Sequence, residues 1–355
     1  MNVLMLGQST KIAKVLSCFC DEITIVVETS LKTSRLSKEL KDYHVIMCPT
    51  DIFSLGGILC RVRELKKWVK DTNSKIIFSN TRNDMIAAKI YSLIYNRNVI
   101  LIATSHNSLA WNNKIRVRLM SCLIRLTTDC FVSLASFVHN QLINFGVKEK
   151  NLIFLPNIIE YEQWKVKTNY SILSPFRMVY VAYVLPNKCQ DFIVDVLFML
   201  ANRYNVVVDC YGDLTNSEYV DSIQEKVKRY SLEGNLNLLG CIDNSLLKNI
   251  LKSYDAYICP SKMEMSPVNI LEAQASGLPV IASNVGGISD LIRDHEDGLL
   301  FEWNDVEDAA DKIIKLIKDE ELRLKLGETA RKRVSESYTA QIAGRKLFDK
   351  IKNYC

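Results

Sequence analysis

At 355 residues, 48% hydrophobic and 24% charged, the chain is long enough for roughly two domains that each bury a sizeable core, which excludes a disordered or fibrous protein. No apolar run reaches the roughly 18 residues that a membrane-spanning helix needs. The net charge of +5 is unevenly divided: residues 1–170 hold 23 Lys and Arg against 13 Asp and Glu, and the remainder 22 against 27.

A basic half fits nucleic acid or an anionic membrane surface, and the absence of any nucleic-acid-binding motif or aromatic-basic interleaving sets nucleic acid aside. Lys11 and Lys14 interrupt Met1–Ser17, so no signal peptide is expected and the protein should stay in the cytosol. Eleven cysteines, with Cys18-x-Cys20 the one close pair and no CxxC, predict reduced, mostly buried thiols and no zinc site.

Asn2–Leu6 (NVLML) predicts a first strand, and Gly7-Gln8-Ser9-Thr10 the turn into a helix. The fingerprint G-x-G-x-x-G is absent here, which argues against a dinucleotide-dependent oxidoreductase. Ile23–Val27 and Val45–Met47 read as further strands. Gly57–Lys70 has a helical pattern carrying Arg61, Arg63, Lys66, Lys67 and Lys70. Lys75–Ser79 and Val99–Ala103 are again strand-like, with a helix over Asp84–Tyr95 between them. Such alternation predicts a doubly wound parallel sheet. His106 follows Val99–Ala103 closely, on the ligand edge of that sheet. Lys114–Thr127 (KIRVRLMSCLIRLT) predicts a basic amphipathic helix that either packs on the sheet as ordinary surface or meets a membrane. Cys130–Ser133 is a strand, Ala135–Phe145 a helix, and Asn151–Leu155 leads into Pro156-Asn157. Tyr161–Ser174, polar and non-periodic, predicts an interdomain linker.

The second half opens with a strand over Arg177–Val184, followed by a turn containing Lys188. Val206–Cys210 and Leu236–Gly240 read as strands, with Cys241–Asn244 as the loop after the latter. Ala256–Cys259 is a short apolar run ending at Pro260, and the loop Ser261–Met265 carries Glu264. Ser266-Pro267 then predicts a helix start in which the hydroxyl caps orphan amides and proline takes the first helical position. Glu272 lies on that helix; Gly277 and Pro279 end it before the strand Val280–Ser283. In an open parallel sheet this unit places the free amides of Val268 and Asn269 at the ligand edge, where the helix dipole favours an anion. Glu264 and Glu272 bracket that anion hole, and carboxylates beside it are suited to hydroxyls of the same ligand. A nucleotide-sugar has that layout. Asn284–Gly287 forms a glycine-containing turn. Asp294–Asp297, before Gly298, predicts a solvated turn rather than a metal cluster, ahead of a strand at Leu299–Phe301. Helices are expected over Asp305–Lys318, Glu321–Glu336 and Tyr338–Tyr354.

The run PS-x-x-E at Pro260–Glu264, seven intervening residues, E-A-x-A-x-G-x-P-V-I-A-S at Glu272–Ser283, and the turn Gly286-Gly287 resemble the signature of retaining nucleotide-sugar glycosyltransferases of the GT-B fold, family 4, also called group 1. The resemblance implies two Rossmann-like α/β domains facing a central cleft: residues 1–160 for the acceptor, 175–335 for the nucleotide-sugar, and a helix over 338–355 that crosses back to the first. It implies that Glu264 contacts the transferred sugar, Glu272 the ribose hydroxyls, and Lys188 the diphosphate leaving group. Ser266, Pro267, Val268, Asn269, Gly286 and Gly287 would line the sugar-phosphate region, Cys241 and Ile242 the base, and His106 the donor-sugar pocket. Gly7, Gln8 and Ser9 would form the acceptor side. No metal or other cofactor is required. Tyr183 stands where such enzymes often have arginine, five residues before the lysine, Cys189 where they often have glycine, and Ile158 in place of a usual glycine. Lys188 then carries more of the phosphate charge, or another cation helps.

The expected activity is transfer of a sugar, with retention, from a UDP- or GDP-sugar to a hydroxyl of a lipid-linked glycan or oligosaccharide in bacterial O-antigen, capsule, lipopolysaccharide or other envelope polysaccharide synthesis. The site of work is the cytoplasmic face of the membrane, held peripherally by the basic first half. Two alternatives stay open: a catalytically inactive relative serving as a binding subunit, and a nucleotide-sugar epimerase.

Overall fold

The computed structural model describes residues 1–6, 9–28, 42–48, 55–105 and 113–354, and its contacts divide it into two α/β units, residues 1–156 with 340–355, and residues 157–339. In the first unit, β1 (Asn2–Leu6), β2 (Glu22–Glu28), β3 (His44–Cys48), β4 (Ser74–Ser79), β5 (Ile100–Thr104), β6 (Cys130–Ser133) and β7 (Leu152–Phe154) form one parallel sheet. Their order is β3-β2-β1-β4-β5-β6-β7, so the winding reverses between β1 and β4, the switch point where ligands enter such sheets. β5 and β6 are buried along their whole length, as strands covered by helices on both faces must be. The helix Ala340–Ile351 belongs to this unit and lies against Thr10–Ser17, with the rings of Phe19 and Phe348 5.6 Å apart.

The predicted helix Gly57–Lys70 runs from Leu55 to Thr72, but not all of its basic residues face water. Arg61 is 2% exposed, with its guanidinium 3.7 Å from Asp84, 3.6 Å from Glu64 and above the Trp68 ring. Lys114–Thr127 forms as predicted. It buries Val117, Met120, Ile124 and Thr127 and leaves Ile115, Leu119 and Leu126 exposed among Lys114, Arg116, Arg118 and Arg125. No described helix is long and apolar enough to cross a membrane.

The second unit holds β8 (Phe176–Val181), β9 (Val206–Tyr211), β10 (Leu236–Gly240), β11 (Ala256–Cys259), β12 (Val280–Ser283) and β13 (Leu299–Phe301), all parallel, in the order β10-β9-β8-β11-β12-β13. Its switch point lies between β8 and β11. β8 stops three residues short of the predicted Val184, because there the chain leaves the ladder to bond the turn after β9: Ala182 N donates to Tyr211 O and Val184 N to Asp213 O. Gly212 makes that crossing possible, since a Cβ at 212 would lie 1.7 Å from Ala182 O.

Two expectations fail here. Residues 161–174 are no loose linker: Trp164, Lys167 and Tyr170 are buried in the second unit. Lys167 Nζ donates to Tyr254 O at 2.8 Å, Tyr170 Oη to Gly277 O at 2.7 Å, and Lys167 N to Ser276 O at 2.8 Å. Polar side chains here satisfy buried carbonyls instead of water. The thiols are also less buried than predicted: Cys48, Cys130, Cys210 and Cys259 are buried, but Cys18, Cys60, Cys122 and Cys241 are exposed.

Gly212→Ala forces the methyl group into a backbone carbonyl that cannot move without disrupting β8. Urea unfolding should show a loss of roughly 3 kcal/mol or more; a loss below 1 kcal/mol is inconsistent with the close approach.

Candidate functional site

Because β8 and β11 are neighbours at the switch point, the turn after β8 and the loop after β11 meet at one edge of the sheet. The main chain ties them directly, Lys262 N donating to Asn187 O at 3.0 Å. Pro186–Lys188 forms a short 3-10 turn, and Lys188 Nζ reaches Glu264 Oε1 at 2.5 Å, with both side chains mostly buried.

Behind Glu264 stands a chain of hydroxyls. Ser261, fully buried, donates its Oγ–H to Glu264 Oε1 at 2.8 Å, so the Tyr180 hydroxyl, 2.9 Å from Ser261 Oγ, must be the donor to it. Burial raises the Tyr180 phenol well above its ordinary pKa, which keeps it protonated and donating. Ser283 Oγ donates to Ser261 O at 2.6 Å, fixing the same loop from β12. On the other side Gly287 N donates to Glu264 O at 2.9 Å. Gly286 has φ +56°, and a Cβ there would lie 2.2 Å from Glu264 O. The glycine pair is thus a seat for the Glu264 backbone.

The helix Val268–Ala275 starts one residue later than predicted. Pro267 is its N-cap rather than its first residue and makes no side-chain bond to the helix, although Asn269 Oδ1 accepts from Ile270 N at 2.9 Å. The Ser266 hydroxyl instead accepts from Asn157 N at 2.8 Å, while Asn157 Nδ2 donates to Ser266 O at 2.6 Å. The first-turn amides of Val268 and Asn269 therefore lack the expected serine cap, which suits an anion. Asn269 Nδ2 donates to Val181 O at 2.8 Å and pins this helix start to the end of β8. Glu272, four residues past Val268 and partly exposed, sits about 6 Å further along the helix. Cys241 and Ile242 follow β10, three strand positions from β11. That is about 14 Å along the edge, a span for an extended nucleotide and not for one side chain.

Ser9 is the N-cap of Thr10–Ser17 in the first unit, its hydroxyl accepting from Ile12 N at 3.4 Å. Gly7, Gln8 and His106 lie outside the described residues. Asp294–Asp297 forms the predicted turn with Asp294, His295 and Glu296 exposed, but its last residue is not solvated. Asp297 is fully buried and accepts from Arg293 N at 2.7 Å, from Arg293 Nε at 2.6 Å, and from Arg333 Nη1 at 3.2 Å. Asp294 Oδ1 accepts from Leu300 N at 2.8 Å. Among the described residues no three or more His, Cys, Asp or Glu side chains are grouped so as to hold a metal ion.

Sequence reasoning missed Tyr180, Ser261 and Asn157 as parts of the site. Ser261 stands inside the PS-x-x-E run that carried the reading, so a signal for it was present. Tyr180 looks like one more apolar strand residue, and nothing local marks it.

Residues 164–333 match the family of glycosyl transferases group 1. An uncharacterized glycosyltransferase of Methanocaldococcus jannaschii is 25% identical over 235 residues, 65% of this chain and 62% of that one, so the match spans less than two thirds of that relative. The capsular polysaccharide biosynthesis glycosyltransferase CapM of Staphylococcus aureus is 24% identical over 332 residues, 87% of this chain and 86% of that one. Among solved structures, Anabaena HepE in complex with UDP and glucose superposes with a TM-score of 0.81 at 18% identity, covering 99% of this chain and 100% of that one, which establishes a shared fold.

Ser261→Ala removes one donor to Glu264 and leaves the buried Tyr180 hydroxyl unpaired, at a cost of roughly 1–3 kcal/mol. Adding Tyr180→Phe should restore part of that loss in thermal unfolding. Strictly additive losses are the result that the hydroxyl chain does not allow.

Proposed function

We propose, from the match of residues 164–333 to the glycosyl transferases of group 1, that this chain moves a sugar, with retention at the anomeric carbon, from a UDP- or GDP-sugar to a hydroxyl of a lipid-linked glycan in bacterial envelope polysaccharide synthesis. Its two parallel-sheet units are the GT-B fold. The observation that carries the proposal is the meeting of Lys188 and Glu264 beside the helix start at Val268, all at the second unit's switch point.

In this reading the diphosphate lies over the amides of Val268 and Asn269, with Lys188 supplying the countercharge as the sugar–oxygen bond breaks. That is preorganised electrostatic stabilisation of a leaving group. Glu264, held by Ser261 and seated on Gly286-Gly287, presents its second oxygen to the transferred sugar. Glu272 takes the ribose hydroxyls, and the 14 Å step to Cys241 and Ile242 leaves room for the base. A departing phosphate oxygen accepts the proton of the acceptor hydroxyl on the same face, so the chain needs no base of its own. Charge is neutralised by Lys188 and helix amides, and the reaction needs no metal. Support for a UDP donor comes from HepE, bound to UDP and glucose, and support for an envelope glycan from CapM.

The acceptor would be a glycan on a lipid, met at the cytoplasmic leaflet. The helix Lys114–Thr127 fits such a surface. Exposed Ile115, Leu119 and Leu126 are spaced to lie along one stripe, with Arg116, Arg118 and Arg125 exposed around it. Each cation near an anionic bilayer contributes about 1 kcal/mol.

Three outcomes test the site. A melting-temperature screen against UDP-, GDP-, ADP- and dTDP-sugars identifies the donor by the stabilisation it brings. With that donor, Glu264→Gln abolishes transfer while the nucleotide still binds, and Glu272→Gln weakens nucleotide binding by roughly 1–3 kcal/mol. Transfer continues in EDTA. Wild-type rates in both variants refute the site assignment, and metal-restored activity after chelation refutes the mechanism.

The membrane reading is checked by sedimentation with vesicles. Wild type should pellet with phosphatidylglycerol vesicles at low salt and much less with neutral ones, and changing Arg116, Arg118 and Arg125 to glutamate should abolish the difference. Equal binding to both vesicle types makes this helix ordinary solvated surface.

A further inference from the structure

Cys189 closes the turn that carries Lys188, and it does so at φ +54°. A residue with a Cβ in that left-handed region costs about 1–2 kcal/mol, and such strain persists only where the surroundings over-determine it. Glycine would carry no such cost. Something must therefore hold this turn: Glu264 holds Lys188, and Lys262 N donates to Asn187 O at 3.0 Å, with the Trp303 ring against the Lys262 side chain.

Trp303 lies two residues past the end of β13, in a turn that is itself pinned. Asp305 N donates to Glu302 O at 3.0 Å, and Glu302 N donates to Asp308 Oδ2 at 2.9 Å. Below it Phe301 stacks on Phe192, ring centroids 5.6 Å apart and planes within 4°, which ties β13 to the helix that follows Cys189. The Trp303 ring, 40% exposed, holds Lys262 Nζ 5.4 Å from its centroid. Lys262 makes no ion pair with any described carboxylate and is bonded through its amide to Asn187 O. Burial, and then the nearby Asp191, push the Cys189 thiol up, and its S–H donates to Pro186 O at 3.4 Å within the turn. The indole thus packs on the lysine whose amide holds the turn that brings Lys188 to Glu264.

We propose that Trp303 is a positioning residue that locks the 186–189 turn onto the 261–264 loop and so sets the reach of Lys188 toward a nucleoside diphosphate. The inference rests on the proposed role of Lys188. Tyr183, 64% exposed, stands where an arginine is common in similar enzymes, so one lysine meets the diphosphate and its placement matters more. The brace acts on the phosphate end of the ligand alone. Its loss weakens a diphosphate and spares a monophosphate.

The test is calorimetric titration of the full chain with UDP, GDP, ADP and dTDP and, for whichever binds, the matching monophosphate. Trp303→Ala should weaken the diphosphate roughly tenfold, the scale of a lost cation–π contact, and leave the monophosphate unchanged. Trp303→Phe, which keeps a ring over Lys262, should recover most of the affinity. Cys189→Gly in the Trp303→Ala background should also recover it, because a glycine turn needs no brace. Lys262→Met gives the same selective loss should Trp303→Ala fail to fold. Equal weakening of both nucleotides, or no rescue by Cys189→Gly, overturns the brace and makes Trp303 a nucleoside platform or plain surface. Lys188→Ala is the control. If it too weakens both nucleotides equally, or if no diphosphate binds, the diphosphate role of Lys188 falls and the brace falls with it. If Lys188→Ala is selective and Trp303→Ala is not, the brace alone falls.

Discussion

Lys188 and Glu264 are 76 positions apart in sequence and 2.5 Å apart in space, and the rest of the second unit can be read as the apparatus that makes this contact cheap. A cation and a carboxylate taken largely out of water are each costly alone, and breaking such a pair strands a charge. The fold offsets that cost with fixed donors. Ser261 and Tyr180 stand behind the carboxylate, Gly287 holds its backbone, and the switch between β8 and β11 brings the two loops into register.

The parts of this fold that were legible in the sequence are those governed by local rules. Cys130–Ser133, Leu236–Gly240, Ala256–Cys259, Val280–Ser283, Leu299–Phe301 and the helix Lys114–Thr127 appear with the bounds predicted, because short apolar runs bounded by Pro, Gly or polar residues leave little choice. Elsewhere, distant partners overruled local rules. Ala182–Val184 is as apolar as the strand before it, yet Gly212 draws the main chain out of the ladder. Ser266 has the right type and place for a cap, yet Asn157, 109 positions away, takes its hydroxyl. Nothing in a window of ten residues encodes either event.

The same distinction separates the two halves of the site. Glu264, Glu272 and Lys188 stood out in the sequence by their types and spacing, and the structure brings Lys188 and Glu264 together. Tyr180 and Asn157 did not, nor, outside the site, did the burial of Asp297, because a tyrosine in a strand and an aspartate in an acidic turn have ordinary uses that fit equally well. Asp297 shows the physical reason: its solvation is replaced by Arg293 and Arg333, and Arg333 comes from a helix more than thirty residues on. Composition reports how many charges a segment has and not where their partners will come from.

The helix Ala340–Ile351 completes the unit that residue 1 begins, while the other unit is one unbroken stretch, 157–339. On a ribosome this reverses the usual order of events. The apolar face of Thr10–Ser17 and the ring of Phe19 are made early and must wait, uncovered, until residues 340–354 have emerged, whereas residues 157–339 hold all their own contacts before that point. The later unit is free to fold first, and the earlier one is finished last. A stop codon in the final tenth of the chain would then damage the half of the protein encoded at the opposite end of the message.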